Sequence, residues 1–221
     1  MPVKLAIDAT LKQRCPRVAL ACITADVETG DTPAALDAEL RGQEQRILQL
    51  PEPKAVLESA TVTATRAAYK ALGKDPARYR GSAEALLRRI ISNKGLPRIN
   101  GVVDVINLVS IESRFPVGLY DFARISGGIT FRAGSPSETY KGIGKYDLNL
   151  EGLPVFADAL GPHGSATSDS ERTMVSRETN QVLAIVISFS GAETLDKWAS
   201  RMAQLLESYA SGRNCAVTIV T

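Results

Sequence analysis

Residues 182–221 leave this chain the least freedom. "VLAIVISFS" (182–190) is an uninterrupted apolar run of strand length, and "CAVTIVT" (215–221) is a second one. Between them Leu195, Trp198, Ala199, Met202, Leu205, Leu206 and Tyr209 recur at the i, i+3, i+4, i+7 rhythm of one helix face. A helix with one apolar face must lie against something, and the flanking strands offer a sheet. The segment predicts a β–α–β unit: strand 182–190, helix 193–210 and strand 215–221, with the two strands parallel and paired to each other.

Upstream, "RVALACIT" (17–24) reads as a buried strand between Pro16 and a polar stretch. Residues 33–49 and 54–72 read as helices separated by "PEP" and closed by Gly73. "RGSAEALLRRIIS" predicts a further helix, with Ser82 as its N-cap and Glu84 in the first turn, where the helix dipole favours an acid. Beyond Gly127 and Gly128 the texture turns to short strands, "GITFRAG" and "LPVFADAL", joined by Gly/Pro/Ser-rich loops. The expected fold is α+β, helices packed against a mixed sheet, in a single domain over 1–221. A doubly wound sheet lacks the regular alternation it needs.

The stretch "NGVVDVINLVSIESRFPVGLYD" (100–121) carries Asp104 and Asn107 inside an apolar run. Burying a polar group without a partner costs about 1–3 kcal/mol, so both residues need partners, either the protein's own or a ligand's. A strand would put them on opposite faces. A helix puts them on one face, with Asn100 a turn earlier and Val102, Val105, Ile106 and Val109 on the apolar side. The helix gathers the polar groups and is the better reading.

Charge adds a second clue. The whole chain has a net charge of only +2, too small to imply a nucleic-acid partner by itself. Between 74 and 98, however, seven bases (Lys74, Arg78, Arg80, Arg88, Arg89, Lys94, Arg98) face two acids (Asp75, Glu84). That density suits phosphate contact, and it equally suits a solvated helix face with pairs such as Glu84–Arg88. Other classes are disfavoured. There is no GxSxG elbow around a serine nucleophile. One histidine and the scattered Cys15, Cys22 and Cys215 cannot form a zinc set. "KGIGKY" is a lone GxG, a turn rather than a nucleotide loop. No apolar stretch reaches the ~18 residues of a membrane span, and "MPVKLAIDAT" has no signal-peptide shape. A cytoplasmic protein with reduced thiols, without cofactor or metal, is expected. Oligomeric state is not legible.

"AYKALGKDPARYRGSAEALLRRIISNKGLPRINGVVDVINLVSIESRFPVGLYDFARISGGITFRAG" resembles the B3/B4 domain of the phenylalanyl-tRNA synthetase β subunit, and more closely its freestanding relatives. The core of the likeness is "IN-VVDV-N" followed by "P-(four residues)-D". It runs from about 55 to 190, with residues 1–54 as an N-terminal strand and helix extension. The resemblance implies a module that binds the aminoacylated 3′ end of tRNA, not DNA, and that hydrolyses the ester of mischarged aminoacyl-tRNA. The alternative is a non-catalytic protein that binds tRNA or an amino acid.

By the same resemblance Asn107 lines the pocket and Asp104 supports its wall. Arg80, Ser82 and Glu84 belong to the pattern of the freestanding relatives and join the substrate site. The synthetase motif has Thr where this chain has Ile106 and His where it has Gly118, and both changes remove polar groups from the pocket. The loop "LGPHGSATSDSERT" (160–173) offers His163, Ser165, Asp169, Ser170 and Arg172 as further substrate contacts, or as an ordinary turn-rich connector. Asn107, Glu84 and His163 are the catalytic candidates. Arg78, Arg88, Arg89, Lys94 and Arg98 are the expected RNA contacts. An aminoacyl ester is already activated, so a positioned water and a stabilised oxyanion can suffice.

Overall fold

The computed structural model describes residues 3–144 and 146–221. In chain order the elements are β1 (Leu5–Ile7), α1 (Ala9–Arg14), β2 (Ala19–Asp26), α2 (Ala34–Leu48), α3 (Ala60–Ala71), α4 (Ser82–Ile91) and α5 (Gly101–Ser113). There follow β3 (Val117–Asp121), β4 (Ile129–Ala133), β5 (Thr139–Lys141), β6 (Asp147–Asn149), β7 (Pro154–Asp158), β8 (Gly161–Ser165), β9 (Gln181–Ser188), α6 (Leu195–Tyr209) and β10 (Arg213–Val220). The fold is α+β.

One sheet runs β10-β2-β9-β3, every neighbour antiparallel. β2, β9 and β3 are buried on both faces while the edge strand β10 is largely exposed, and the side chains of β2 and β9 divide with period two. Ala19, Ala21, Ile23 and Ala25 of β2, with Val182, Ala184 and Val186 of β9, join a core built with α2, α4, α5 and α6. Leu20 and Cys22, with Leu183, Ile185 and Ile187, face the opposite way into a second core. That core is closed by Ala68, Tyr69 and Leu72 from α3 and its end, and by a second sheet, β1-β4-β7-β8, which contributes Ile129, Phe131 and Phe156. The second sheet is mixed: β1 is parallel to β4, and the remaining pairs are antiparallel. Its depth explains the thiol of Cys22, which burial pushes up to about 12.

Three expectations need correction. β9 and β10 do run parallel, since each is antiparallel to β2, but they are not paired: β2 lies between them. The crossover helix α6 therefore spans one strand, and the N-terminal extension supplies an interior strand. Residues 54–58 form a 3-10 turn, so the helix begins only at Ala60; Gly73, at φ +81°, closes it as expected. Ser82 is the first residue of α4, after Gly81 as N-cap, and its hydroxyl instead accepts a bond from the Val117 backbone N–H at 3.2 Å.

The two sheets are keyed together by Tyr120 of β3, which is fully buried. Its ring lies against Gly118 two residues back on its own strand and Gly164 on β8; a Cβ at either glycine would collide with the tyrosine hydroxyl. Overpacking of this kind costs typically 1–3 kcal/mol. Gly118→Ala should therefore lower the unfolding midpoint by several degrees. In a Tyr120→Phe background, with the hydroxyl gone, the same substitution should lower it less. Strictly additive losses in a thermal-unfolding double-mutant cycle would contradict this packing.

Candidate functional site

The segment 101–113 is a helix, and each of its polar residues has a distinct position. Asn100 is the N-cap of α5 and accepts from the Val103 N–H at 2.9 Å. Asp104 is fully buried. Its carboxylate accepts from the Thr32 hydroxyl at 2.5 Å and from the Ile99 N–H at 3.3 Å, tying the entry of α2 to that of α5. Asn107 is half-buried and makes one long bond, Nδ2 donating to Asp104 at 3.4 Å. Its amide oxygen accepts no hydrogen bond from the described residues. Two open clefts of about 440 and 470 Å³ lie elsewhere, one against Cys22, Asp26 and Asn214 and one between Arg14, Lys74 and Glu151. Neither is lined by Asn107 or Gly118.

The 160–173 segment differs from expectation at its start, where 161–165 is strand β8 rather than loop. A Gly-Pro-His-Gly-Ser run has no strand propensity of its own; pairing with β7 imposes it. His163 is consequently no surface histidine. It is fully buried, edge-on to Tyr120 with ring centroids 4.7 Å apart, and neither of its nitrogens has a hydrogen-bond partner among the described residues. Burial drives its pKa down to about 4, the nearby Asp158 opposing this.

The rest of the segment is a polar knot. Asp169 accepts from the Tyr120 hydroxyl at 3.0 Å and from the backbone N–H groups of Leu119 and Ser165 at 3.2 and 3.3 Å. The Ser165 hydroxyl donates to the Ser168 carbonyl at 2.8 Å, to which the Tyr140 hydroxyl also donates. Tyr69 and Thr167 share a hydroxyl–hydroxyl bond of 2.7 Å. Burial raises the pKa of all three tyrosines, so each remains a protonated donor. Ser170 caps the following turn, and Arg172 forks onto Asp158 at 3.1 and 2.9 Å. The three tyrosines are residues that the sequence did not single out.

The third group surrounds Glu84, whose side chain is 4% exposed. Arg66 of α3 grips it through Nε and Nη2 at 2.9 and 2.7 Å, Arg88 through Nε at 2.7 Å, and Arg80 stands 4.0 Å away. Burial pushes the Glu84 carboxyl up, and the bonds from Arg66 and Arg88 outweigh it, so the pKa is lowered. Arg78, Arg89 and Lys94 are exposed. Arg98 turns inward instead, pairing with Asp37 at 2.7 Å and Glu44 at 3.4 Å. Arg66, outside the basic run, was missed because only the tertiary fold brings this α3 side chain to Glu84, 18 residues later.

The polar knot and the Glu84 group adjoin, because the Ser82 N–H donates to the Ala166 carbonyl at 2.8 Å. Asp104 and Asn107 stand apart: among the described residues their hydrogen bonds run to Thr32, Ile99 and each other, not to either group. No set of three or more His, Cys, Asp or Glu side chains arranged for a metal occurs among the described residues. None of their helices is long and apolar enough to cross a membrane.

The model of the B3/4 domain family matches residues 64–213, well over half of the chain. The chain belongs to the B3/4 domain family. The phenylalanine–tRNA ligase β subunit of Brucella abortus (strain 2308) is 33% identical over 73 residues, which is 33% of this chain and 9% of that subunit. The corresponding subunit of Chromobacterium violaceum is 31% identical over 67 residues, 30% of this chain and 8% of its own length. The whole chain superposes on 51% of an N-terminal fragment of the phenylalanyl-tRNA synthetase β subunit from Pyrococcus horikoshii, with a TM-score of 0.53 and 16% identity, a likeness of fold.

Packing accounts for the residues found at 106 and 118 in this B3/4 chain. Ile106 is 5% exposed in the helix-side core, and Gly118 leaves the room that the Tyr120 hydroxyl takes.

His163 also sets a pH dependence. The folded state holds it neutral down to about pH 4, whereas the unfolded chain protonates near 6.5. Its contribution to stability is therefore complete above pH 6.5 and is lost as the pH falls toward 4, by roughly 3 kcal/mol at most. The unfolding midpoint of the wild type should fall more steeply over that window than that of His163→Phe. Parallel curves would contradict a buried neutral imidazole.

Proposed function

We propose that this B3/4 chain is a tRNA-binding module that contacts the aminoacylated 3′ end and neighbouring phosphates through the basic face of α3 and α4. One observation carries the reading: Arg78, Arg80, Arg88, Arg89 and Lys94 stay exposed or half-exposed on one stretch, while Glu84 within it is buried and bonded to Arg66 and Arg88. Such a surplus of cations attracts a polyanion at long range and releases counterions on contact. The likeness to phenylalanine–tRNA ligase β subunits supports tRNA as the polyanion.

The candidate catalytic groups favour binding without hydrolysis. His163 is sealed behind Tyr120, and Glu84 is saturated by arginines. A second reading, trans-acting hydrolysis of a mischarged aminoacyl ester, is favoured by the half-buried Asn107 amide, whose oxygen has no partner and is able to orient a substrate ammonium or a water.

The test is a panel of correctly and incorrectly charged tRNAs, followed for both binding and ester loss. Binding should weaken steeply with salt, and in the Arg78→Ala/Arg89→Ala/Lys94→Ala variant the slope of log K against log salt should fall by about 2–3. Ester loss should match the protein-free rate. Loss that is accelerated by the protein and abolished in Asn107→Ala would favour the hydrolytic reading. Failure of wild-type protein to bind any tRNA would overturn both.

A further inference from the structure

Among the described residues, Glu84 is the only carboxylate paired with Arg66, Arg80 and Arg88. Three guanidinium charges around one carboxylate leave a surplus of two, with Arg66 and Arg88 held by hydrogen bonds and Arg80 4.0 Å away. Like charges gathered at a protein surface repel one another, so the group is poised for a further anion. The side chains of Arg66, Arg80 and Arg88 remain 35%, 45% and 41% exposed, so their outer faces meet solvent while Glu84 holds the inner ones.

The unspent donors suit a tetrahedral oxyanion. Glu84 takes Nε and Nη2 of Arg66 and Nε of Arg88. That leaves Nη1 of Arg66, both terminal nitrogens of Arg88 and the whole fork of Arg80. Planar forks match phosphate oxygens two at a time, and a lysine cannot reproduce that geometry. The carboxylate beneath also removes most of the ordering cost, because two of the arginines are held before any ligand arrives. Arg114 adds to the charge: its Nη1 is buried without a partner, and it lines a narrow crevice with Glu84, Gly81 and Thr65. The positive end of α4 lies at the same place.

We propose that Arg66 and Arg88, pre-oriented by Glu84, form together with the neighbouring Arg80 a discrete binding site for one phosphate group. The inference deepens the tRNA reading and rests on it only for the source of the phosphate, nucleic acid rather than a free phosphate or pyrophosphate.

Calorimetric titration of the intact chain with inorganic pyrophosphate at fixed ionic strength tests the site. Arg80→Ala is the informative variant, because Glu84 keeps its bonds to Arg66 and Arg88 without it. Arg177→Ala, an exposed cation elsewhere, is the control. One pyrophosphate should bind per chain, Arg80→Ala should weaken it about ten-fold or more, as expected for a charge-assisted bond of 1.5–3 kcal/mol, and Arg177→Ala should leave it unchanged. Equal affinities for wild type and Arg80→Ala, equal losses in both variants, or no binding at all would overturn the site. Uncharged tRNA, titrated in parallel, separates the sources. Pyrophosphate binding that depends on Arg80, without tRNA binding, keeps the site and removes the tRNA reading. Wild-type tRNA binding without pyrophosphate binding does the reverse.

Discussion

The buried hydroxyl of Tyr120 on the carboxylate of Asp169 is the joint on which the rest of the molecule hangs. Because Gly118 and Gly164 have no side chain, the tyrosine ring fits between strands of two different sheets. Because the hydroxyl and two backbone N–H groups converge on Asp169, the 165–170 segment is fixed to β3. That segment in turn presents the Ala166 carbonyl to Ser82, and Ser82 accepts from Val117. The N-terminus of α4 is thus placed by two segments distant in sequence, β3 and 165–170, and with it Glu84.

Glu84 then decides the character of the surface above it. A carboxylate removed from water needs compensation, and Arg66 and Arg88 provide it through short charge-assisted bonds. Replacing the acid alone would leave the arginines to repel one another. Kept together, the four groups make a rigid, half-exposed basic face, and the proposed phosphate site and tRNA contact both draw on that rigidity. Asp104 works differently: it satisfies the entry of two helices and faces inward, so the polar stripe of α5 is structural along most of its length. Asn107 alone on that stripe keeps hydrogen-bonding capacity to spare.

Much of this was legible in the chain. The rhythm of residues 195–209 identified α6, and the three-residue spacing of Asp104 and Asn107 favoured a helix for α5 despite its β-branched content. What escaped was set by contacts remote in sequence. β2 inserts between β9 and β10 from the opposite end of the chain, which no local pattern announces. His163 sits in a strand without strand propensity, made by pairing with β7. Arg66 looks like any helix-surface arginine until the tertiary fold brings it to Glu84. The inward turn of Arg98 has the same cause, since its partners Asp37 and Glu44 lie on α2.

The central claim is that the arginines gathered on Glu84 are where this chain meets a polyanion. Arginine side-chain NMR tests it most directly, by following the Nε–Hε resonances of Arg66, Arg80 and Arg88 as uncharged tRNA is added. The account predicts that these three signals shift first and together, ahead of the Arg172 and Arg201 resonances engaged in other ion pairs. Signals from Arg66, Arg80 and Arg88 that stay in place while tRNA binds elsewhere would contradict it.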